Sequence, residues 1–192
     1  PKLEITCMNG EMCIRESGSE EGAKEPVAHP GAKIKEILKE YTSPKVKDLP
    51  SFTGGLVGYF SYDYVKYSEP KLNLDADDQE GFKDVDLMLF DKVIAFDNLR
   101  QKIYIIANAR TENLEQEYDR CLAEIEEIVD LIEHGTPAQI TPGKITSEFR
   151  PLFSEQEYCA MVEKAKHYIY EGDIFQVVLS NRLEADYEGS LF

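Results

Sequence analysis

The sequence predicts an α+β fold built largely from antiparallel sheet. Three observations carry that prediction. Short alternating or β-branched runs come in pairs joined by turn signals, two longer stretches repeat apolar residues at helical spacing, and the regular strand-helix-strand alternation of a parallel sheet is missing.

Taken in order, Leu3 to Met8 and Glu11 to Arg15 alternate apolar with polar residues around Asn9-Gly10. That dipeptide accepts the positive φ angles of a type I′ turn, so the segment reads as a hairpin. Glu16 to Lys24 is charged, rich in Ser and Gly and without period, and is expected to be a flexible loop. A helix is predicted from about Pro30 to Tyr41, where Ile34, Ile37, Leu38 and Tyr41 share a face and Ser43-Pro44 stops it. Gly54 to Asp63 reads as a strand of glycines and aromatics. In it Gly54, Gly55 and Gly58 let another backbone or a ring come close, while Tyr59 and Phe60 pack on opposite faces. Asp75 to Lys83 reads as an acidic surface loop, and Val93 to Asp97 with Lys102 to Asn108 as a second hairpin through Asn98 to Gln101. The longest helix is expected over Asn113 to His134. Leu114, Tyr118, Cys121, Leu122, Ile125, Val129 and Ile132 recur on its packing side, and glutamates cover the other.

Gly135 to Pro151, with Pro137, Pro142, Gly143 and Pro151, has the composition of a linker between residues 1–134 and 152–192. Beyond it a helix opens at Ser154-Glu155-Gln156-Glu157, a capping box in which serine oxygen and glutamate carboxylate satisfy orphan amide donors. Its apolar face is Tyr158, Met161, Val162, Ala165 and Ile169, and Gly172-Asp173 ends it. Ile174 to Asp186 is predicted as one long strand, with Phe175, Val177 and Leu179 on one side and Gln176, Val178 and Ser180 on the other. An amide and a hydroxyl two residues apart on one face could line a polar pocket. The chain opens at Pro1 rather than methionine and stops at Phe192 soon after that strand, so it is expected to be a piece cut at both ends.

Composition narrows the function classes. Against 21 Lys plus Arg stand 37 Asp plus Glu, a formal net charge of -16 that repels phosphate backbones and argues against a nucleic-acid partner. No window approaches the ~20 apolar residues needed to span a bilayer, and Pro1 to Gly10 holds no secretion signal. Cys7, Cys13, Cys121 and Cys159 sit in apolar patterns at no metal-ligand spacing and are expected to be buried thiols of a reducing, cytoplasmic compartment. His29, His134 and His167 are scattered and read as surface or capping residues. The glycines of Thr53 to Asp63 lack the Gly-Lys-Ser/Thr of a phosphate loop and the strand-to-helix setting of a dinucleotide fingerprint. The carboxylates are too numerous to pair for acid–base work, and there is no nucleophile elbow or zincin motif. The residues alone lead to a soluble α+β domain.

Three segments, in this order, resemble the large-subunit family of anthranilate synthase and its relative aminodeoxychorismate synthase. Gly54-Gly55-Leu56-Val57-Gly58-Tyr59-Phe60-Ser61-Tyr62-Asp63 is similar to the signature of that family's N-terminal region. Asp84-Val85-Asp86-Leu87-Met88-Leu89-Phe90-Asp91, followed by Ala95-Phe96-Asp97, resembles the stretch after it, and Gly172 to Arg182 resembles the opening of the chorismate-binding region. The resemblance implies a two-layer antiparallel fold, with residues 1–134 as N-terminal region, 135–151 as linker and 152–192 as the start of a truncated chorismate-binding domain. It implies a reaction of tryptophan biosynthesis: ammonia, delivered by a glutamine amidotransferase subunit, adds to chorismate with Mg²⁺ bound, and elimination of pyruvate gives anthranilate. A hard cation suits that chemistry, holding the substrate carboxylate and polarising the leaving hydroxyl.

The resemblance also places the metal-binding glutamates and catalytic histidine beyond Phe192. No catalytic or metal residue is assigned here, and the chain alone is expected to be inactive. One residue carries over. In isochorismate-forming and salicylate-forming relatives a water-activating lysine occupies the position of Gln176, and a neutral amide cannot deprotonate water, which fits ammonia as nucleophile. Gln176 is therefore the candidate substrate-binding residue. The Leu-Glu-Ser and Pro-Tyr-Met-type segments of the family's tryptophan-inhibition site are not in this sequence. Val178 is closer to anthranilate synthase than to aminodeoxychorismate synthase of the folate pathway, where asparagine is common. That enzyme and a non-catalytic amidotransferase-docking module are the alternatives.

Overall fold

The computed structural model describes residues 1–74, 78 and 80–191. It divides into two units, Pro1–Gly135 and Thr136–Phe192.

In the first unit β1 (Leu3–Met8) and β2 (Glu11–Glu16) form the expected hairpin, turned by Asn9 at φ 50° and Gly10 at φ 80°. The loop expected from Glu16 to Lys24 ends early, because Ala23 and Lys24 already belong to β3 (Ala23–Pro26), paired with β2 from Glu11↔Pro26 to Ile14↔Ala23. The charged run hid an edge strand. An edge pairs on one side only and tolerates lysine and proline on the other.

α1 (Pro30–Glu40) begins with proline at its first turn, where a missing N–H costs nothing, and buries Pro30 and Ile34. β4 (Gly55–Phe60) and β5 (Val85–Phe90) follow. β5 inserts between β1 and β4 to give the order β3-β2-β1-β5-β4, antiparallel throughout. Residue periodicity alone had not singled out β5. Its alternation buries Val85, Leu87 and Leu89 against Cys7, Ile5 and Leu3 of β1, register partner by register partner. Met12 from β2 and Ile34 from α1 complete the core, which Ile14, Val27, Ile37 and Leu56 flank.

The glycines of β4 act as close-approach sites. Gly58 has φ 155°, and a Cβ there would strike the carbonyl oxygen of Asp86 on β5. Tyr59 and Phe60 point to opposite faces, where Tyr59 meets Phe82 at 6.0 Å and Phe60 meets Tyr64 at 4.9 Å between ring centroids. The chain then tightens into a 3-10 helix, Tyr62–Tyr67. Of the acidic loop expected over Asp75 to Lys83, Asp75, Ala76, Asp77 and Gln79 lie outside the described residues.

β6 (Lys92–Asp97) and β7 (Lys102–Ala107) make the second hairpin as a separate two-stranded sheet. α2 (Leu114–His134) packs on β7. It buries Cys121 while Leu114, Tyr118, Leu122 and Ile132 stay exposed, so its apolar face is wider than the stripe that packs.

In the second unit α3 (Glu155–Glu171) carries both halves of the capping box: Glu157 N–H donates to Ser154 Oγ at 3.4 Å, and Ser154 N–H to Glu157 Oε2 at 2.8 Å. Gly172 at φ 83° closes the helix. Two-residue strands make two small ladders, β8 (Lys144–Ile145) with β11 (Tyr187–Glu188) and β9 (Arg150–Pro151) with β10 (Leu183–Glu184). The long strand expected from Ile174 to Asp186 does not form; within it only Leu183 and Glu184 lie in a ladder. A strand is a pairing, and no neighbour offers its backbone to Ile174 to Arg182 as a ladder.

The four cysteines are free thiols. Cys7 and Cys121 are buried as expected, whereas Cys13 is half-buried and Cys159 exposed. Cys13 follows buried Met12 and so turns to the outer face of β2, and α3, which carries Cys159, buries none of its residues. Among the described residues no helix is long and apolar enough to cross a membrane.

Gly58→Ala is expected to destabilise the first unit by roughly 2 kcal/mol or more, since the new methyl meets backbone at a φ that side chains avoid. Gly18→Ala, also at positive φ but with open space around it, is expected to cost about 1 kcal/mol. Urea unfolding of both variants checks the difference.

Candidate functional site

Asp84 stands immediately before β5 and is 2 % exposed, the one buried charged side chain among the described residues. A carboxylate taken out of water needs partners that replace the lost hydration. Asp84 has three: Lys66 Nζ donates to Oδ1 at 2.7 Å, and Tyr67 OH and Asn9 N–H donate to Oδ2 at 2.7 and 2.8 Å. The phenol oxygen of Tyr67 accepts the Gly10 N–H at 2.8 Å and lies 3.5 Å from Cys7 Sγ. Lys66 also donates to Asn9 Oδ1 at 2.9 Å. The β1–β2 turn, the 3-10 helix and the start of β5 are thus tied at one point.

Burial pushes the Asp84 carboxyl up, but the bonds from Lys66, Tyr67 and Asn9 together outweigh it and hold the group below the usual carboxylate range. Burial, and then hydrogen bonding to Cys7 and Asp84, pushes the Tyr67 phenol up. The carboxylate is therefore charged and the phenol neutral, as the geometry requires. The donors and acceptors of this cluster are turned on one another, which makes it a positioning device.

A second charged node joins the two sheets of this unit to α2. Arg120 donates to Glu117 at 2.8 Å, to Glu124 at 2.7 Å and to the Asn108 carbonyl at 3.2 Å, while Asn108 Nδ2 reaches the Thr53 and Asp91 carbonyls at 2.8 and 2.9 Å. Lys92 pairs with Glu124 and Lys2 with Asp91. The Arg120 bond, helped by the Arg110 N–H, draws the Glu117 carboxyl down to about 2. Here too the charges are matched.

Gln176, the substrate-binding candidate read from the sequence, lies in the second unit on the unpaired stretch after Gly172, with its side chain exposed. Nothing brings Ser180 and Gln176 together as neighbours on a sheet face. The stretch is held at its far end, where Tyr158 OH donates to the Leu179 carbonyl at 3.2 Å and Asn181 exchanges hydrogen bonds with the backbone of Phe153 at 3.0 and 2.8 Å.

Magnesium favours several oxygen ligands at near-octahedral geometry. Among the described residues no group of three or more His, Cys, Asp or Glu could hold a metal ion, and the well-placed carboxylates Asp84, Glu117 and Glu124 already accept from lysine or arginine. These residues do not fit the metal, and no chemical step is assigned to it here. His29, His134 and His167 are exposed, and His134 pairs with Asp130 on its own helix.

Sequence reading had quoted Asp84 only inside a resembling segment and had passed over Lys66 and Tyr67. The available signal was a lone aspartate at the mouth of an alternating strand, but its partners are separated from it by the whole acidic loop.

Asp84→Asn is expected to cost about 2–4 kcal/mol at neutral pH, because Lys66 loses its charged partner. The depressed carboxyl contributes stability above its unfolded value of about 3.9 and loses it as pH falls through the lower folded value. Acid unfolding followed by circular dichroism should show that loss in the parent chain and a flatter profile in the variant.

Comparison with known proteins follows the same outline. Residues 6–192 match the family described as chorismate binding enzyme. Anthranilate synthase component 1 of Acinetobacter calcoaceticus is 33% identical over 96% of this chain and 37% of its own length. The Aquifex aeolicus protein of the same name is 38% identical over 84% of this chain and 33% of its own, and the chloroplastic anthranilate synthase alpha subunit 2 of Arabidopsis thaliana is 32% identical over 96% and 32%. The chain thus spans about a third of the length of these relatives. The crystal structure of anthranilate synthase component I from Streptococcus pneumoniae superposes on the whole chain with a TM-score of 0.71 at 22% identity, over 41% of that protein, which supports the mixed, antiparallel architecture. Matched almost from end to end and folded as that relative is, the chain belongs to the chorismate-binding enzyme family.

Proposed function

We propose that this chain is part of the large subunit of an anthranilate synthase. The whole protein converts chorismate and ammonia to anthranilate, pyruvate and water in tryptophan biosynthesis. One observation carries the reading: relatives aligned over most of this chain, from bacteria and a plant, bear that enzyme's name. In the reaction a carbon–nitrogen bond forms on the ring, the hydroxyl leaves as water, and loss of the enolpyruvyl group as pyruvate restores the aromatic ring. Ammonia is nucleophilic without a base, so the site needs polar groups that orient rather than deprotonate. The neutral amide of Gln176 suits such a place.

The same reading assigns Mg²⁺ to the whole enzyme, with ligands outside these residues, a glutamine amidotransferase subunit as ammonia source, and a cytoplasmic location. It also makes these 192 residues inactive by themselves.

The test is the product formed from chorismate, ammonium and Mg²⁺ by the whole subunit, with this chain as control. Anthranilate from the former and none from the latter is expected. A product that keeps the pyruvyl ether points to aminodeoxychorismate synthase, and unconsumed chorismate to a docking module. In the whole subunit Gln176→Ala should lower kcat/KM about tenfold, some 1.4 kcal/mol. Gln176→Lys should lower it further and divert part of the chorismate to a hydroxylated product, read by mass spectrometry. Unchanged kinetics in both variants would remove Gln176 from the site.

A further inference from the structure

Asn9-Gly10 is the only Asn-Gly pair in the sequence; Asn73, Asn98, Asn108, Asn113 and Asn181 are each followed by leucine, alanine or arginine. The pair suits a type I′ turn because both residues accept positive φ. It is also the pair most open to attack on itself, because glycine has no Cβ to shield its amide nitrogen. That nitrogen can add to the asparagine side-chain carbonyl. A bond forms between Gly10 N and Asn9 Cγ, the bond from Cγ to the side-chain nitrogen breaks, and ammonia leaves with the Gly10 amide proton. Water then opens the five-membered imide at either carbonyl, which gives aspartate or isoaspartate.

Burial does not prevent this, because Asn9 is exposed and Gly10 only half-buried. Hydrogen bonds stand in the way instead. The attacking nitrogen is occupied, its N–H donating to Tyr67 OH at 2.8 Å. The pair is pinned on both sides of that nitrogen, by Asn9 N–H on Asp84 Oδ2 at 2.8 Å and by Val27 N–H on the Gly10 carbonyl at 2.7 Å. Lys66 Nζ holds Asn9 Oδ1 at 2.9 Å, but a cation there also draws electrons from Cγ, which by itself favours attack. The barrier therefore rests on the Gly10 nitrogen. The Tyr67 hydroxyl gives its own proton to Asp84 Oδ2 at 2.7 Å, so its oxygen is fixed as an acceptor toward Gly10.

We propose that Asn9-Gly10 is a latent deamidation site and that Tyr67, oriented by Asp84, is its guard. While the 3-10 helix stays latched to the β1–β2 turn, the nitrogen cannot reach Cγ. When the latch opens, the free nitrogen meets a carbonyl that Lys66 has already polarised. Isoaspartate adds a methylene to the main chain inside a two-residue turn, and the register that opposes Met8 to Glu11 and Cys7 to Met12 no longer fits. Cys7 and Met12 both lie in the core. A reversible opening is thus recorded as an irreversible change, and the site counts the time the turn spends unlatched. The proposal concerns the first unit and is independent of the reaction of the whole protein.

Peptide mapping by mass spectrometry at mildly alkaline pH follows the gain of about 1 Da at Asn9 and separates aspartate from isoaspartate by retention. In the folded chain the conversion should be at least ~100-fold slower than in the same chain unfolded in guanidinium chloride. The Gly10 amide should show hydrogen-exchange protection of the same order, since both reactions wait for the same opening. Tyr67→Phe removes the acceptor and should raise the Asn9 rate about tenfold while the other asparagines keep theirs. If that variant fails to fold by circular dichroism, the Gly10 exchange of the parent chain decides. The proposal is overturned if Asn9 converts as fast in the folded chain as in denaturant, if the Gly10 amide exchanges freely while Asn9 stays intact, or if a folded Tyr67→Phe variant keeps the parental rate.

Discussion

The carboxylate of Asp84 is the constraint on which the first unit hangs. It occupies a buried position at the entry of β5, and only the simultaneous presence of Lys66, Tyr67 and the Asn9 amide makes a charge tolerable there. Lys66 and Tyr67 come from the 3-10 helix and Asn9 from the β1–β2 turn, so satisfying one charge at the start of β5 ties three elements together at once. With that point fixed, the alternation of β5 delivers Val85, Leu87 and Leu89 to the core and the register with β1 follows. The aromatic 3-10 helix is drawn under the sheet by the same bonds, which brings Tyr64 and Tyr67 against the core cluster.

The two units solve the burial problem differently. The first has a sheet with a covered inner face and a network in which even half-exposed charges, such as Glu117, Arg120 and Lys92, are matched. The second has sound local structure, and among its described residues none is fully buried. Its helix ends are satisfied by Ser154, Glu157 and Gly172, and these contributions, about 1 kcal/mol for a good cap, do not depend on anything distant. Local chemistry can therefore define α3 completely while Tyr158, Met161, Val162 and Ala165 on its apolar side are only half-buried.

What could be read from the residues follows the range of the forces involved. The Asn9-Gly10 turn, the helix starting at Ser154 and its stop at Gly172 are decided within a few positions, and each was legible with its end residues. The close packing at Gly58 was legible because an aromatic strand with glycines has few other uses. β3 was not, since an edge strand of Ala-Lys-Glu-Pro looks like a loop until its partner is known. The Asp84 cluster was invisible for the opposite reason: its members are ordinary residues and only their convergence is unusual. The stretch after Gly172 has strand-forming residues without strand pairing, so propensity and structure part company there. Gln176 shares that fate, being recognisable by resemblance while its surroundings in space are not formed by these residues.

The central place of β5 has a further effect on how the chain reaches its fold. β1 and β2 can pair as soon as both exist, but the other edge of β1 waits for a partner some eighty positions later in the chain. At roughly 5–20 residues per second of synthesis, that delay is about 4–16 s. Throughout it, a growing polypeptide presents the row Leu3, Ile5, Cys7 beside open amide and carbonyl groups. Closing so large a loop is also the slow entropic step of the sheet.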